Sequence, residues 1–203
     1  MPLTTDRSRQ LADAAIAVIA GQGMRALTHR AVDTAAEVPP GTTSNYFRSR
    51  RELLRGVLTR IADQNAAPLS DPDGRSARAD GGDPDALAHR IARFVDEQLT
   101  VRRAGTLARM ACEIEVASDP DLREILHAGT PFPLLAREAL EQLGVADAER
   151  AAAGLIAVVD GLQYDRLVGV GSLTAAPAGA PQARAEVAAV VRAYLDGLIA
   201  ARP

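Results

Sequence analysis

Glu37-Val38-Pro39-Pro40-Gly41 stands between two runs of helical character and limits how they can meet. Two consecutive prolines lack amide donors and cannot lie deep in a helix. Pro40 nevertheless suits the first turn of a new one. The five residues therefore predict a tight turn, with a short helix leaving it over about 40–47. Upstream, Thr28 is placed to cap a second helix whose apolar side is Ala31, Val32 and Ala35. Leu11, Ala15 and Val18, with Ile16 and Ile19 beside them, mark a first helix over about 7–20, ended by Gly21 and Gly23. A fourth begins near Arg50 and carries Leu53, Leu54, Val57, Leu58 and Ile61 at helical spacing.

The same periodicity fills the rest of the chain. Over 66–84 it is broken by Pro68, Pro72, Pro84, Gly74, Gly81, Gly82 and several Asp, a composition that reads as a flexible loop. Helices are expected over about 85–99 and 103–117. Another starts at Pro120 with Asp119 as its cap, is disturbed at Pro131 and Pro133, and stops at Leu143-Gly144. Asp147 caps a helix to about 168, Gly169 to Pro181 reads as a loop, and a last helix covers about 182–200. There is no internal repeat and no alternating strand pattern. Aromatics make up 3%, and the abundance of Ala and Leu favours helices, so the fold class is all-α.

Charge points to a partner. All 23 basic residues are Arg. Residues 1–60 hold nine Arg against five acidic residues, a net +4, on a remainder of −7. A basic first segment on an acidic body suits a polyanion. The stretch from Leu27 to Leu54 fits a helix, a tight turn and a second short helix, the plan in which the second helix enters a DNA major groove. Thr42, Thr43, Ser44 and Asn45 are compact hydrogen-bonding side chains that can approach base edges closely. Asn45 suits adenine, the Thr methyls suit thymine, and Tyr46 offers a hydroxyl to a phosphate. Arg48, Arg50 and Arg51 follow at once and can neutralise phosphates. The same residues also suit a polar helical hairpin with a solvated basic face.

This stretch resembles the DNA-binding domain of the tetracycline-repressor (TetR) family of bacterial regulators. Thr28, Ala35, Ala36, Val38, Gly41, Thr42, Tyr46, Phe47, Arg50, Leu53 and Leu54 match the family pattern, and the match covers about 7–61. Beyond it, only length, helical content and Asp160-Gly161-Leu162 agree. The resemblance implies an all-helical homodimer: a helix-turn-helix domain over 1–50 binds operator DNA, and a domain over 51–203 binds a small-molecule effector and dimerises. It implies phosphate or base roles for Thr28 and Arg30, base reading by Thr42 and Asn45, phosphate contacts by Tyr46 and Arg50, and inward packing of Phe47. Three residues depart from the pattern. Ser44 replaces the usual Tyr. Glu37 replaces the usual turn Gly, which asks a residue with a Cβ to turn left-handed. Pro39 replaces the usual Ser or Thr cap of the short helix.

In the C-terminal half, the helix over 147–168 has two apolar sides, Leu155, Val158 and Leu162 on one and Ile156, Val159 and Leu167 towards another. The last helix offers Val187, Val190, Val191, Tyr194, Leu195 and Leu198. By the resemblance these two helices form the dimer interface, through Leu155, Val158, Leu162, Val187, Val190, Val191, Tyr194 and Leu198. The bland alternative makes both of them core helices of a monomer. Candidates for the effector pocket are Phe94, Gln98, Leu107, Met110, Glu113, Ile114, Phe132, Gln163 and Tyr164, with Gln163 the expected buried polar group.

Nothing indicates an enzyme. His29, His89, His127 and Cys112 are far apart and in no metal-ligand spacing, so no metal, cofactor or catalytic residue is expected. Gly169-Val170-Gly171 lacks the third Gly and the strand of a nucleotide-binding turn. No apolar run is long enough for a bilayer, and Met1 to Gln10 lacks a signal-peptide core, so a soluble cytoplasmic protein without membrane contact is expected. The expected function is a ligand-responsive transcriptional regulator, a repressor released from its operator by a small molecule. The alternative is a helical ligand-sensing or scaffold dimer without specific DNA binding.

Overall fold

A computed structural model describes residues 6–66, 82–128 and 130–201, and all regular structure among them is helical. The helices are α1 (Asp6–Gln22), α2 (His29–Ala35), α3 (Thr42–Tyr46), α4 (Arg50–Ala66), α5 (Pro84–Leu99), α6 (Arg103–Glu115), α7 (Pro120–His127), α8 (Phe132–Gln142), α9 (Ala148–Leu167), α10 (Gly171–Thr174) and α11 (Pro181–Ala200). Most of the loop expected over 66–84 lies outside the described residues. The chain divides into two compact units, one holding α1–α4, α6 and α7, the other α5 and α8–α11. No helix among the described residues is long and apolar enough to cross a membrane.

In the first unit, α1 buries Leu11, Ala15, Ile16 and Ile19, and α4 buries Leu53, Leu54, Val57, Leu58 and Ile61. Ala108, Cys112 and Val116 of the α6 segment and Leu122 and Leu126 of α7 close the same core. A fully buried aliphatic side chain contributes about 1.5–3 kcal/mol, so this cluster supplies most of the unit's cohesion. One polar tie crosses it: Arg60 of α4 donates from Nε and Nη2 to the two carboxylate oxygens of Asp13 on α1, at 2.8 and 3.1 Å, and Gln64 donates to the same carboxylate at 2.9 Å. The Cys112 thiol is buried, and burial, with the charges of Glu113 and Glu115, pushes its pKa up to about 12. It is a packing group without thiolate character.

Local signals place most of the helix ends. Thr28 accepts from the Ala31 amide, as expected, and Asp119 accepts from the Leu122 amide with Pro120 in the first turn. Asp147 caps α9 from a left-handed conformation with φ 51°. Four expectations are corrected. The short third helix begins at Thr42, not Pro40, because left-handed Gly41, φ 90°, starts it. The apolar side assigned to α2 is rotated: Ala35 is exposed and Asp33 is buried. The segment disturbed by Pro131 and Pro133 is two helices, α7 and α8. The loop after Gly169 contains α10, whose Gly171 amide donates to Asp165 at 3.0 Å.

In the second unit α5 runs along α11 and α8 packs on α9. Ala88, Ala92, Ala183 and Ala188, all buried, let the paired helices approach, and Val95, Val187, Val191 and Leu195 fill the seam. Asp96 on α5 accepts from Arg184 on α11 at 3.0 Å, and Asp85 pairs with Arg192.

Gly56 of α4 lies where a Cβ would come within 2.5 Å of the Phe47 ring. Phe47 is buried and ends α3, so it has little room to move aside. Gly56→Ala should destabilise the protein by about 1–3 kcal/mol in urea unfolding, whereas Gly21→Ala, whose site is open, should be close to neutral or stabilising.

Candidate nucleic-acid interface

A helix of five residues does not hold itself in water, because nucleation costs more than its few hydrogen bonds return. α3 is held instead by two side chains one turn apart on α2. At its start, Asp33 accepts from the Gly41 amide through Oδ2 at 2.7 Å. Its Oδ1 accepts from the Thr43 amide at 2.7 Å and from the Thr43 hydroxyl at 2.5 Å. At its end, the Phe47 carbonyl oxygen accepts from His29 Nε2 at 2.6 Å. Asp33 is 4% exposed and Thr43 fully buried. The turn between α2 and α3 needs Glu37 at φ 53°, the left-handed conformation that a usual glycine would adopt freely. The cap absent at Pro39 is thus supplied by Asp33 from the neighbouring helix.

The outer side of α3 presents Ser44, Asn45 and Tyr46, all exposed. Thr42 is half-buried and its hydroxyl donates to the Pro39 carbonyl at 2.6 Å. Arg30 and Arg48 are exposed, and Thr28, exposed too, stands at the start of α2. Of the candidate DNA contacts, Thr43 is corrected, and Arg50, though exposed, is engaged within the protein. Thr43 faces inward, with both its amide and its hydroxyl engaged by Asp33. Arg50 turns its guanidinium onto the carbonyl oxygens of Leu27 and Met24, the latter at 3.0 Å, and lies 3.7 Å from Glu115. It joins α4 to the segment before α2. Arg51 likewise donates to both carboxylate oxygens of Asp119 at 3.0 and 2.9 Å. Sequence reasoning missed Asp33 and His29. Their spacing of four, followed by an uncapped short helix, was the signal that carried them.

The second-unit candidates separate into buried and available groups. Leu155, Val187 and Val191 are buried within the unit, so they are corrected from interface to core. Val158, Leu162, Tyr194 and Leu198 are half-buried and Val190 is exposed. Tyr194 reaches over Gly154 and donates to the Ala151 carbonyl at 3.3 Å. Of the pocket candidates, the rings of Phe94 and Phe132 meet at 5.1 Å, and Gln98 and Gln163 are buried. Tyr164 of the same unit is 56% exposed. In the first unit Leu107, Met110 and Glu113 are half-buried, Glu113 pairs with Arg109 at 2.5 Å, and Ile114 is 78% exposed. A cleft of the second unit lies elsewhere. It encloses about 70 Å³ over an apolar floor of Ala92, Leu99, Ala183 and Val187, with Asp96, Arg166 and Arg184 on its walls. None of the pocket candidates lines it. No group of three or more His, Cys, Asp or Glu that could hold a metal ion occurs among the described residues.

Burial alone would raise the Asp33 pKa. The Thr43 hydroxyl, the Thr43 and Gly41 amides and the nearby His29 outweigh it and hold the carboxyl below its ordinary value of 3.8. Its contribution to stability is therefore complete above that value and is lost as pH falls through the lowered one. Asp33→Asn should cost roughly 1.5–3 kcal/mol at neutral pH. The difference from wild type should shrink below about pH 4, which urea unfolding at both pH values measures.

Residues 11–57 match the family described as bacterial regulatory proteins, tetR family, and residues 82–200 match the tetracyclin repressor-like C-terminal domain. The chain is 28% identical over 203 residues to the HTH-type transcriptional regulator BetI of Burkholderia thailandensis, covering 97% of this chain and 95% of that one. A transcriptional regulator from Rhodococcus sp. Rha1 shares the fold with a TM-score of 0.71 at 24% identity, covering 97% of each chain. A TetR family member from Streptomyces coelicolor A3 does so with a TM-score of 0.67 at 24% identity, covering 94% of this chain and 98% of its own. With both family regions matched in order along a helix-turn-helix and a helical second unit, the chain belongs to the tetR family of bacterial regulatory proteins.

Proposed function

We propose that the protein is a homodimeric repressor whose α3 helices read a palindromic operator and whose second unit takes a small-molecule effector that releases it. The observation that carries the reading is the outer side of α3: compact polar side chains on a helix locked from behind, flanked by arginine. Asn45 and Ser44 read base edges, and Thr42 contributes its methyl group. Tyr46, Thr28, Arg30 and Arg48 contact phosphates and sugars. Two-fold symmetry sets the paired helices about 34–36 Å apart, one turn of duplex. Val158, Leu162, Val190, Tyr194 and Leu198 on α9 and α11 supply the surface for pairing, which their remaining exposure supports. The division of labour runs along the chain, with DNA binding over 1–50 and effector binding and dimerisation over 51–203.

The effector enters at the cleft on α5 and α11, whose floor is aliphatic and whose walls carry Asp96, Arg166 and Arg184, and which at about 70 Å³ has to widen to admit it. Release requires the effector to prefer the form unable to bind DNA. A hundredfold preference corresponds to about 2.7 kcal/mol of coupling.

Fluorescence anisotropy on duplex DNA flanking the protein's own gene, with a shuffled duplex as control and a salt series, tests the reading. Tight, salt-dependent binding that prefers the native duplex supports it. Equal binding to both duplexes, or none at low salt, favours the scaffold alternative. Asn45→Ala should cost roughly 1–3 kcal/mol at one base position and relax preference there. Arg48→Ala should weaken binding to every sequence and lower the salt slope by about one. Arg50→Ala should leave that slope unchanged and lower the unfolding midpoint instead, because its charge faces carbonyl oxygens.

A further inference from the structure

We propose that Asp33 and His29 are positioning residues for base reading: together they fix the rotation of α3 about its own axis and so decide which base edge Asn45 and Ser44 meet. This rests on the operator reading. Successive residues of a helix are turned by about 100°, so a residue two places from an inward-facing one is turned by about 200° and faces outward. Thr43 is the inward residue, and Asn45 stands two places on. A side-chain tip lies about 5–6 Å from the helix axis, so a roll of about 20° moves it by about 2 Å. That shift is enough to break a bidentate hydrogen-bonded pair.

Hydrogen bonds resist such a roll where apolar packing tolerates it, because they are directional. Three donors converge on the Asp33 carboxylate, the Gly41 amide on one oxygen and the Thr43 amide and hydroxyl on the other, and neither amide can accept from a donor placed opposite. The site therefore requires two acceptor oxygens rather than a side chain of that shape. His29 fixes the other end through the Phe47 carbonyl, and Phe47 is buried against the Gly56 position. A helix pinned at both ends by residues on one neighbouring helix can move only with that helix. Asp33 and Thr43 are buried and His29 is half-buried, so none of them needs to touch a base.

The test selects bound duplexes from a fully randomised library with the full-length wild-type protein, then compares variants on the selected duplex and on a shuffled one. Asp33→Asn, nearly isosteric but a donor on one side, should lose at least tenfold of its preference for the selected duplex. Its affinity for the shuffled duplex and its salt slope should stay at wild-type values. His29→Ala should show a smaller loss of the same kind. His29→Gln, whose amide can donate to the Phe47 carbonyl, should retain the preference. If Asp33→Asn loses its helical circular dichroism, Thr43→Val carries the test, since it keeps the shape and removes one donor; its expected loss of preference is about threefold. An unchanged preference in the folded variant, or an equal loss on both duplexes, overturns the proposal. A wild type that selects no sequence overturns the operator reading and this proposal with it, a result distinct from selection by wild type that the variants share.

Discussion

A buried carboxylate accepting three donors is the constraint around which the first unit is arranged. α3 is too short to persist alone, and the residue in its capping position, Gly41, brings no side chain to cap it. Asp33 provides what the local sequence lacks, and neighbouring features follow from that. Pro39 and Pro40 deliver the chain to Gly41 with few amide donors left to satisfy. Phe47, ending α3, turns inward over Gly56, which has no side chain to obstruct it. Arg50 then closes the next junction by donating to the Leu27 and Met24 carbonyls. The order of events along the chain is a series of exposed backbone ends, each completed by a side chain from a different element.

The apolar core and the polar clamp do different work. The cluster of Leu11, Leu53, Val57, Leu58 and their neighbours holds the helices together with the larger energy, but hydrophobic contact is non-directional. It favours the presence of α3 more than its orientation. The Asp33 and His29 contacts are few, and each fixes a specific atom. Specificity of orientation is a recognised use of buried polar groups, and here it falls on the helix with the outermost polar face.

Much of the fold was legible because helix ends are announced by local chemistry. Thr28, Asp119 with Pro120, and Asp147 each cap the helix their position suggested. The all-helical class followed from periodicity together with the scarcity of aromatics and the abundance of Ala and Leu. What the sequence concealed was direction. Thr42, Thr43, Ser44 and Asn45 have the same chemistry and sit side by side, yet Thr43 points inward and its neighbour Asn45 outward. Arg50 carries the same charge as Arg48 but turns it towards carbonyls twenty-odd residues earlier, a long-range partnership that spacing does not encode. Asp33 was hidden by its own polarity, because a pattern of apolar residues assigns an acid to the wet side. Leu155, Val187 and Val191 were read as interface because a core helix and an interface helix present the same periodicity.

The hold of backbone carbonyls on Arg50 has a consequence for how a regulator of this kind is shared out across a chromosome. Non-specific attraction to duplex DNA grows with the number of phosphates that fixed cations can neutralise. An arginine committed to carbonyl oxygens, and another committed to Asp119, leave the reading surface with fewer such cations than its composition suggests. Fewer cations shorten residence on the vast excess of irrelevant sequence, so a smaller fraction of the molecules is held there and more remain available to search for a target. On the operator reading, the basic residues that brace the scaffold would lower the background against which a target must compete.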